Sequence, residues 1–405
     1  MKKLIVLLFF IPLFLTACIS PPVPDIEQAI QDSDPNTIVP LSNDLTVGYF
    51  QTFLPIQASP TRGLIHAYTG TIGDGIVVGT RADLEHLERS MHRTATAYFD
   101  PNDHFFRDGL ILQRAFVSNL LCPSNVESDI CVNPIGLNPE SGATLDFNGT
   151  SVTSGDTFAT QIRPLSFVLE QNFGTIVYNE DGEPEFQLEG VAIALAMNPH
   201  HTVVDYSIGQ IIPYRMSDEQ ILTIGRETAA ELLPLLRTEY NELRDVPIIF
   251  GLFIQESGNS ILPGRLASTA VGEVGSSSLR NWNEVHERHF LLENPANTAI
   301  SAYSVNLNDE YIFVRESIFR QFPHTFGIVG QVHIVEEEVY RVNIEFNMHF
   351  FGYGEKLAFH QMVGQYIDYF SPQYDIRVII RSTDEIHGTI MRPPHGDVQV
   401  SWVSW

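Results

Sequence analysis

The sequence predicts an α+β fold: two ββαβ-type repeats with mixed and antiparallel sheets under covering helices, placed after a signal peptide and a disordered tether. Three observations predict it. A hairpin, a helix and a further strand recur in the same order twice in the C-terminal half. The helix in each copy carries an apolar stripe. Hydrophobic residues make up 44% and aromatics 11% of the 405 residues, enough to bury a sizeable core and to exclude a disordered chain.

The N-terminus has its own logic. Lys2 and Lys3 form a positive start and residues 4–15 an apolar run that Pro12 interrupts. That run is too short to span about 30 Å of hydrocarbon as a helix, so residues 1–17 read as a leader. It closes on Leu15-Thr16-Ala17-Cys18, the lipobox pattern, in which cleavage follows Ala17 and Cys18 becomes a lipidated first residue. The alternative is an ordinary signal peptide with a chance cysteine. A diacylglyceryl cysteine supplies the two chains that stable anchoring requires, and its partner is the cell membrane, on the extracellular face. Residues 18–46 hold the cysteine and a Pro-, Ser-, Asp- and Asn-rich tether without apolar periodicity, with a reach of roughly 30 Å.

Residues 47–165 read as an N-terminal α+β region: a strand at Gly63-Leu64-Ile65, a helix over 81–99 ended by Asp100-Pro101, and a surface excursion over 122–160. The first repeat occupies 166–257. Its hairpin turns at Asn179-Glu180-Asp181-Gly182, its helix opens with the capping box Ser217-Asp218-Glu219-Gln220, and its strand runs from Val246 to Ile254. Residues 258–322 are an inter-repeat loop region; the Gly- and Ser-rich stretch 256–283 in particular reads as nearly structureless. The second repeat and the C-terminal tail take 323–405, with a hairpin turn at Glu336-Glu337-Glu338, a helix carrying Leu357, Phe359, Val363 and Ile367, and a strand from Ile376 to Arg381.

Charge excludes function classes. The chain has 23 Lys+Arg against 49 Asp+Glu, a net charge of −26, and only Lys2, Lys3 and Lys356 are lysines. Removing the leader takes away two lysines and no carboxylate, which moves the body to −28. Such acidity excludes nucleic acid as a partner and docking on anionic lipid through a basic face. It suits a surface exposed outside the cell.

Motifs with chemistry are few. His286-Glu287-Arg288-His289 places its histidines three apart, whereas the zinc helix needs four, so no metal is assigned there. Adjacent His200 and His201 read as a loop after a strand. Cys122 and Cys131 are an even pair outside the membrane, which favours a disulfide over two free thiols. Arg265, Arg280 and Trp282 in the inter-repeat stretch put scarce cations beside an aromatic and form a candidate site for an anionic or sugar-like ligand, against the alternative of a plain connecting loop. No catalytic residue, metal or cofactor is assigned.

The chain resembles the CamS sex-pheromone lipoproteins of Gram-positive bacteria. The likeness is carried by the lipobox, the segment 49–63, residues 81–101, Gly136-Leu137-Asn138-Pro139 and the strand 188–198. Asp245-Val246-Pro247-Ile248, Leu262-Pro263-Gly264, Gly275-Ser276-Ser277-Ser278 and Tyr369-Phe370-Ser371-Pro372 continue it in order. The resemblance implies a two-repeat α+β ectodomain and a leader whose end, residues 10–17 here, is trimmed to a short peptide pheromone. It implies no established activity for the ectodomain. Two classes therefore follow: a lipid-anchored, non-catalytic module binding a cell-wall or peptide ligand, or an extracytoplasmic hydrolase acting on envelope polymers.

Overall fold

The computed structural model describes residues 50–402, apart from 54–57, 63, 65–69, 73–75, 79–81, 125–130, 132–134, 156–160, 206–209, 293–297, 324–326 and 384. The leader, Leu15-Thr16-Ala17, Cys18 and the tether lie outside the described residues, as does most of the strand expected at 63–65.

In chain order the N-terminal region holds β1 (Gln51–Thr52), β2 (Gly70–Ile72), β3 (Ile76–Val78), α1 (Leu84–Ala95), β4 (Phe105–Asp108) and α2 (Arg114–Leu120). Then come β5 (Thr144–Phe147), β6 (Thr150–Thr153), β7 (Leu165–Tyr178), β8 (Pro184–Met197), β9 (His200–Asp205), β10 (Gln210–Arg215) and α3 (Asp218–Glu239). The chain continues through β11 (Ile248–Ile254), β12 (Arg265–Gly272), β13 (Asn283–Glu284), β14 (Glu287–Leu291), α4 (Thr298–Ser301) and α5 (Leu307–Gln321). It ends with β15 (Gly327–Val335), β16 (Glu338–Asn347), α6 (Tyr353–Ile367), β17 (Ile376–Arg381), β18 (Ile386–Arg392) and β19 (Gln399–Trp402).

Two large sheets organise these elements among the described residues. The first has the order β1-β4-β7-β8-β11-β12-β13 and the second β14-β15-β16-β17-β18-β19. Both contain the same unit. An antiparallel hairpin (β7-β8 or β15-β16) is followed by a helix (α3 or α6), then by a strand parallel to the hairpin's second arm (β11 or β17). A further antiparallel strand, β12 or β18, closes each unit. The ββαβ expectation is thus met and extended by one strand.

That extension corrects the loop expected over 256–283. Arg265–Gly272 is a strand whose side chains are mostly buried. It pairs antiparallel with β11 on one side and β13 on the other. The 258–322 region also holds β14 and α5, so it is largely structured. Within 122–160, β5 and β6 form a hairpin that buries Phe147 and Val152 in the main core, so this segment too is more than a surface excursion. His200 and His201 begin β9, paired antiparallel with β10, rather than a loop.

The first sheet is covered on both faces where β8 and β11 pair, which is why residues 191–197 of β8 and all of β11 are continuously apolar. Ile193, Leu195, Phe250 and Leu252 face α3, whose Ile221, Leu232, Leu233 and Leu236 fill that core. The opposite face offers Ala192, Ala194, Ala196, Ile249 and Phe253 to Leu87, Met91 and Ala95 of α1. Small residues let α1 sit close: a Cβ added at Gly251 would stand 2.2 Å from the Met91 sulfur. Ser217 caps α3 as expected, accepting from the Gln220 N–H while the Gln220 side chain accepts from the Ser217 N–H.

Among the described residues, only one face of the second sheet packs an apolar core. Ile328, Val332, Val342, Ile344 and Phe346 pack under α5 and α6 with Tyr311, Phe359 and Val363. The other face turns toward α1.

Candidate functional site

Helix α1 lies between the two sheets. Its Leu87, Met91 and Ala95 side is buried on the first sheet. His86, Ser90 and Arg93, spaced four and three residues apart and hence on one side of the helix, look at the second.

The face of the second sheet that meets them is polar because of strand period and register. Glu287 and His289 alternate with Arg288 and Phe290 along β14, so the first two share a side. In the β14-β15 pair His289 stands directly opposite His333, and in the β15-β16 pair Gln331 and His333 oppose Asn343 and Arg341. The chain crosses from the first sheet to the second between β13 and β14, which places Glu287 at the junction.

Glu287 is fully buried and accepts from every side. His333 Nε2 lies 2.6 Å from its Oε1, Arg93 Nη2 3.0 Å and His86 Nε2 3.3 Å. Ser90 Oγ donates at 3.0 and 3.2 Å, and the Leu266 N–H of β12 donates to Oε2 at 2.8 Å. His86 and His289 approach through their Nε2 atoms at 3.0 Å. The His289 and His333 rings are 4.4 Å apart and 22° from parallel. Tyr340 packs edge-on against His333 and lies under the Arg93 guanidinium.

Burial by itself would raise the Glu287 carboxyl, but hydrogen bonds from His333 and His86 and the charge of Arg93 outweigh it and hold it well below the usual carboxylate range. Burial pushes His289 well down, reinforced by neighbouring His333 and His86. His333 is also lowered by burial, against the hydrogen bond and charge of Glu287, which raise it. The carboxylate is therefore ionised, His333 donates to it, and His289 and His333 favour the neutral form. His86, Glu287, His289 and His333 each offer one ligand atom, and the four atoms lie within 4.8 Å of one another.

The three histidines of this group line one wall of a cleft of about 1850 Å³. Its lining is rich in hydrogen-bonding side chains, with Gln171, Gln331, Asn343, Tyr340, Arg341 and Arg377 beside the charged side chains of α1.

The residues singled out by sequence fare differently. Cys122 and Cys131 are joined in a disulfide, with Cα atoms 5.9 Å apart. Arg265, Arg280 and Trp282 do not converge. Arg265, at the start of β12, pairs with Asp218 in the first turn of α3 at 2.6 Å. Arg280 lies by the other end of β12, where its N–H donates to the Val271 carbonyl and its guanidinium sits 3.3 Å from Glu273. Trp282 packs on the main core. The candidate ligand site expected from these three is therefore not assembled. The 286–289 motif is a strand entry rather than a helix; His286 faces Glu337 at 4.0 Å, outside the cluster that holds Glu287 and His289. Sequence reasoning missed His86 and His333, which lie far away in the chain. The one available signal was the strand spacing Glu287-x-His289, which puts both on one face. Among the described residues no helix is long and apolar enough to cross a membrane.

A family model described as CamS sex pheromone cAM373 precursor matches residues 73–397. The C-terminal domain of the sex pheromone staph-cAM373 precursor from Staphylococcus aureus is 22% identical, with a TM-score of 0.61, covering 79% of this chain and 96% of that one. The sex pheromone precursor from Lactobacillus salivarius subsp. salivarius UCC118 is 19% identical, with a TM-score of 0.66, covering 84% and 99%. At these identities the two structures establish the shared fold. No curated protein matches the chain.

Proposed function

The chain belongs to the CamS family of sex pheromone precursors, and from that premise we propose that it is a lipid-anchored extracytoplasmic lipoprotein whose body is a non-catalytic binding module, with the cleft beside α1 as the ligand seat. The cleft carries the proposal. Its volume of about 1850 Å³ takes a ligand well beyond a single small metabolite. Amide side chains from Gln171, Gln331 and Asn343, the Arg341 and Arg377 guanidiniums held by Asp375 at 2.8 Å each, and the Tyr340 ring suit an extended polar molecule, a soluble cell-wall glycopeptide fragment, better than a lipid-like one.

Calorimetric titration of the full chain with soluble muropeptides tests this. The expected result is micromolar binding, weakened at least tenfold by the pair Gln331→Ala and Asn343→Ala. Failure of muropeptides to bind, or binding indifferent to both substitutions, overturns the reading; saturable binding of short apolar peptides in their place would move the ligand to that class.

Anchoring is proposed to run through Cys18, supported by the lipobox Leu15-Thr16-Ala17-Cys18. Incorporation of an alkyne fatty acid into the wild-type chain and its loss in Cys18→Ser is the expected outcome; equal label in both refutes it. Residues 10–17 are the segment from which a peptide pheromone would be released. Mass spectrometry of culture supernatant should then show a fragment ending at Ala17.

A further inference from the structure

We propose that His86, Glu287, His289 and His333 form a binding site for one divalent transition-metal ion of the zinc class, held in the cleft wall between α1 and the second sheet. The inference rests on these four residues and not on the identity of the cleft's ligand.

The donor set is three imidazole nitrogens and one carboxylate oxygen. Imidazole suits zinc, copper, iron and nickel, and the lack of a thiolate among the four argues against a soft-metal site. All four ligand atoms fall within 4.8 Å of one another. A tetrahedral ion with bonds of about 2.1 Å spaces its ligand atoms about 3.4 Å apart. The His86–His289 nitrogens at 3.0 Å and the His86–Glu287 pair at 3.3 Å already stand near that spacing, and the His333–Glu287 pair is tighter, at 2.6 Å.

The scaffold holds these atoms in place. Three ligands come from one sheet face, two along β14 and one opposite on β15, while the fourth arrives from α1 across the gap. A second layer orients the carboxylate: Ser90 Oγ and the Leu266 N–H donate to it and leave the imidazole side of Oε1 directed into the cluster. His86, His289 and His333 also line the cleft, so an ion can enter from it. A pure hydrogen-bond network explains the arrangement less well. His86 Nε2 faces both Glu287 Oε1 at 3.3 Å and His289 Nε2 at 3.0 Å, and carrying one proton at most it cannot donate fully to both.

Arg93 opposes the ion. Its Nη2 lies 3.0 Å from Glu287 Oε1, and it can withdraw toward the Tyr340 ring or solvent. Guanidinium and metal compete for one carboxylate oxygen, so removing the guanidinium tightens metal binding.

The test uses the full chain purified in detergent, stripped with EDTA, dialysed and titrated with zinc chloride by calorimetry, with thermal unfolding in parallel. One ion per chain at micromolar affinity or better is expected, with a rise in unfolding temperature. His289→Ala and Glu287→Gln should each weaken binding at least a hundredfold, His286→Ala should leave it unchanged, and Arg93→Gln should tighten it at least tenfold. Circular dichroism of each variant separates loss of the site from loss of the fold, and Arg93→Gln is read as a gain of binding, which unfolding cannot mimic. Nickel or copper bound in preference to zinc, with the same dependence on these residues, supports the site. Absence of binding at one millimolar zinc, binding untouched by His289→Ala in a folded variant, or no gain on Arg93→Gln overturns it.

Discussion

His289 on β14 and His333 on β15 face each other directly across an antiparallel pair, their rings 4.4 Å apart and nearly parallel. That stacking, with Glu287 two residues upstream and His86 across the gap, turns one polar sheet face into a built group rather than a scatter of charges.

Glu287 and Arg93 should differ sharply on deletion. Glu287 is fully buried and serves donors from α1, β12 and β15, whereas Arg93 is partly exposed and can be rehydrated. Glu287→Ala leaves the Leu266 N–H and the imidazoles without their acceptor and is expected to cost about 3–5 kcal/mol, against about 1–2 kcal/mol for Arg93→Ala. Urea unfolding at neutral pH measures both; equal losses would contradict the asymmetry.

Acid should destabilise the fold between about pH 6.5 and 4. Burial lowers His92, His200 and His201 to about 4 each, with Arg215 adding to the effect at His200. The unfolded chain takes up these protons from about pH 6.5, so it binds more protons than the folded chain in that interval, and stability falls as pH falls. The slope is up to about 1.4 kcal/mol per pH unit for each histidine. His201→Leu should flatten the profile by one histidine's share, read from unfolding midpoints at pH 7.5, 5.5 and 4.5.

The Cys122–Cys131 link closes a short loop, nine residues in sequence separation. In the chain-entropy picture its loss costs about 2–3 kcal/mol. Paired Cys122→Ser and Cys131→Ser, compared with the parent in and out of reductant, should show that difference only without reductant.

The β15-β16 turn carries a local cost. Glu336 and Glu337 both adopt left-handed backbone, with φ of 49° and 69°. Such a turn favours Asn-Gly, and left-handed non-glycine residues cost roughly 1–2 kcal/mol each. Replacing the two residues by Glu336→Asn and Glu337→Gly should therefore stabilise the chain by about 1 kcal/mol and raise its melting temperature. The exchange also removes the exposed His286–Glu337 pair, but at 4.0 Å in open solvent that pair counts for little.

Much of the architecture was legible where local chemistry and tertiary need coincide. The Ser217 capping box, the helix over 81–99 and the apolar arms of both hairpins each carry periodicity or turn residues that act without distant help. β12 was not legible, because Arg265-Leu266-Ala267-Ser268-Thr269-Ala270 lacks a β-branched run and sits between Gly- and Ser-rich flanks. It is a strand because β11, β13 and α1 make it one. The cluster was illegible for a related reason. Only the Glu287–His289 spacing is local; His333 and His86 arrive through sheet pairing and through a helix packed from the other end of the chain. Conversely, Arg265, Arg280 and Trp282 looked gathered only because they are close in sequence, and a strand holds the two arginines apart.

The span between Glu287 and its helix partners also has a kinetic meaning. Ser90 and Arg93 precede Glu287 by 197 and 194 residues. Contacts that close so long a loop reward the chain only after α1 has packed on the first sheet, so they are expected to form on the native side of the folding barrier. Loss of Glu287 should accordingly leave the refolding rate almost unchanged and appear as faster unfolding, making this junction the latch that sets how long the assembled molecule survives rather than how quickly it is made.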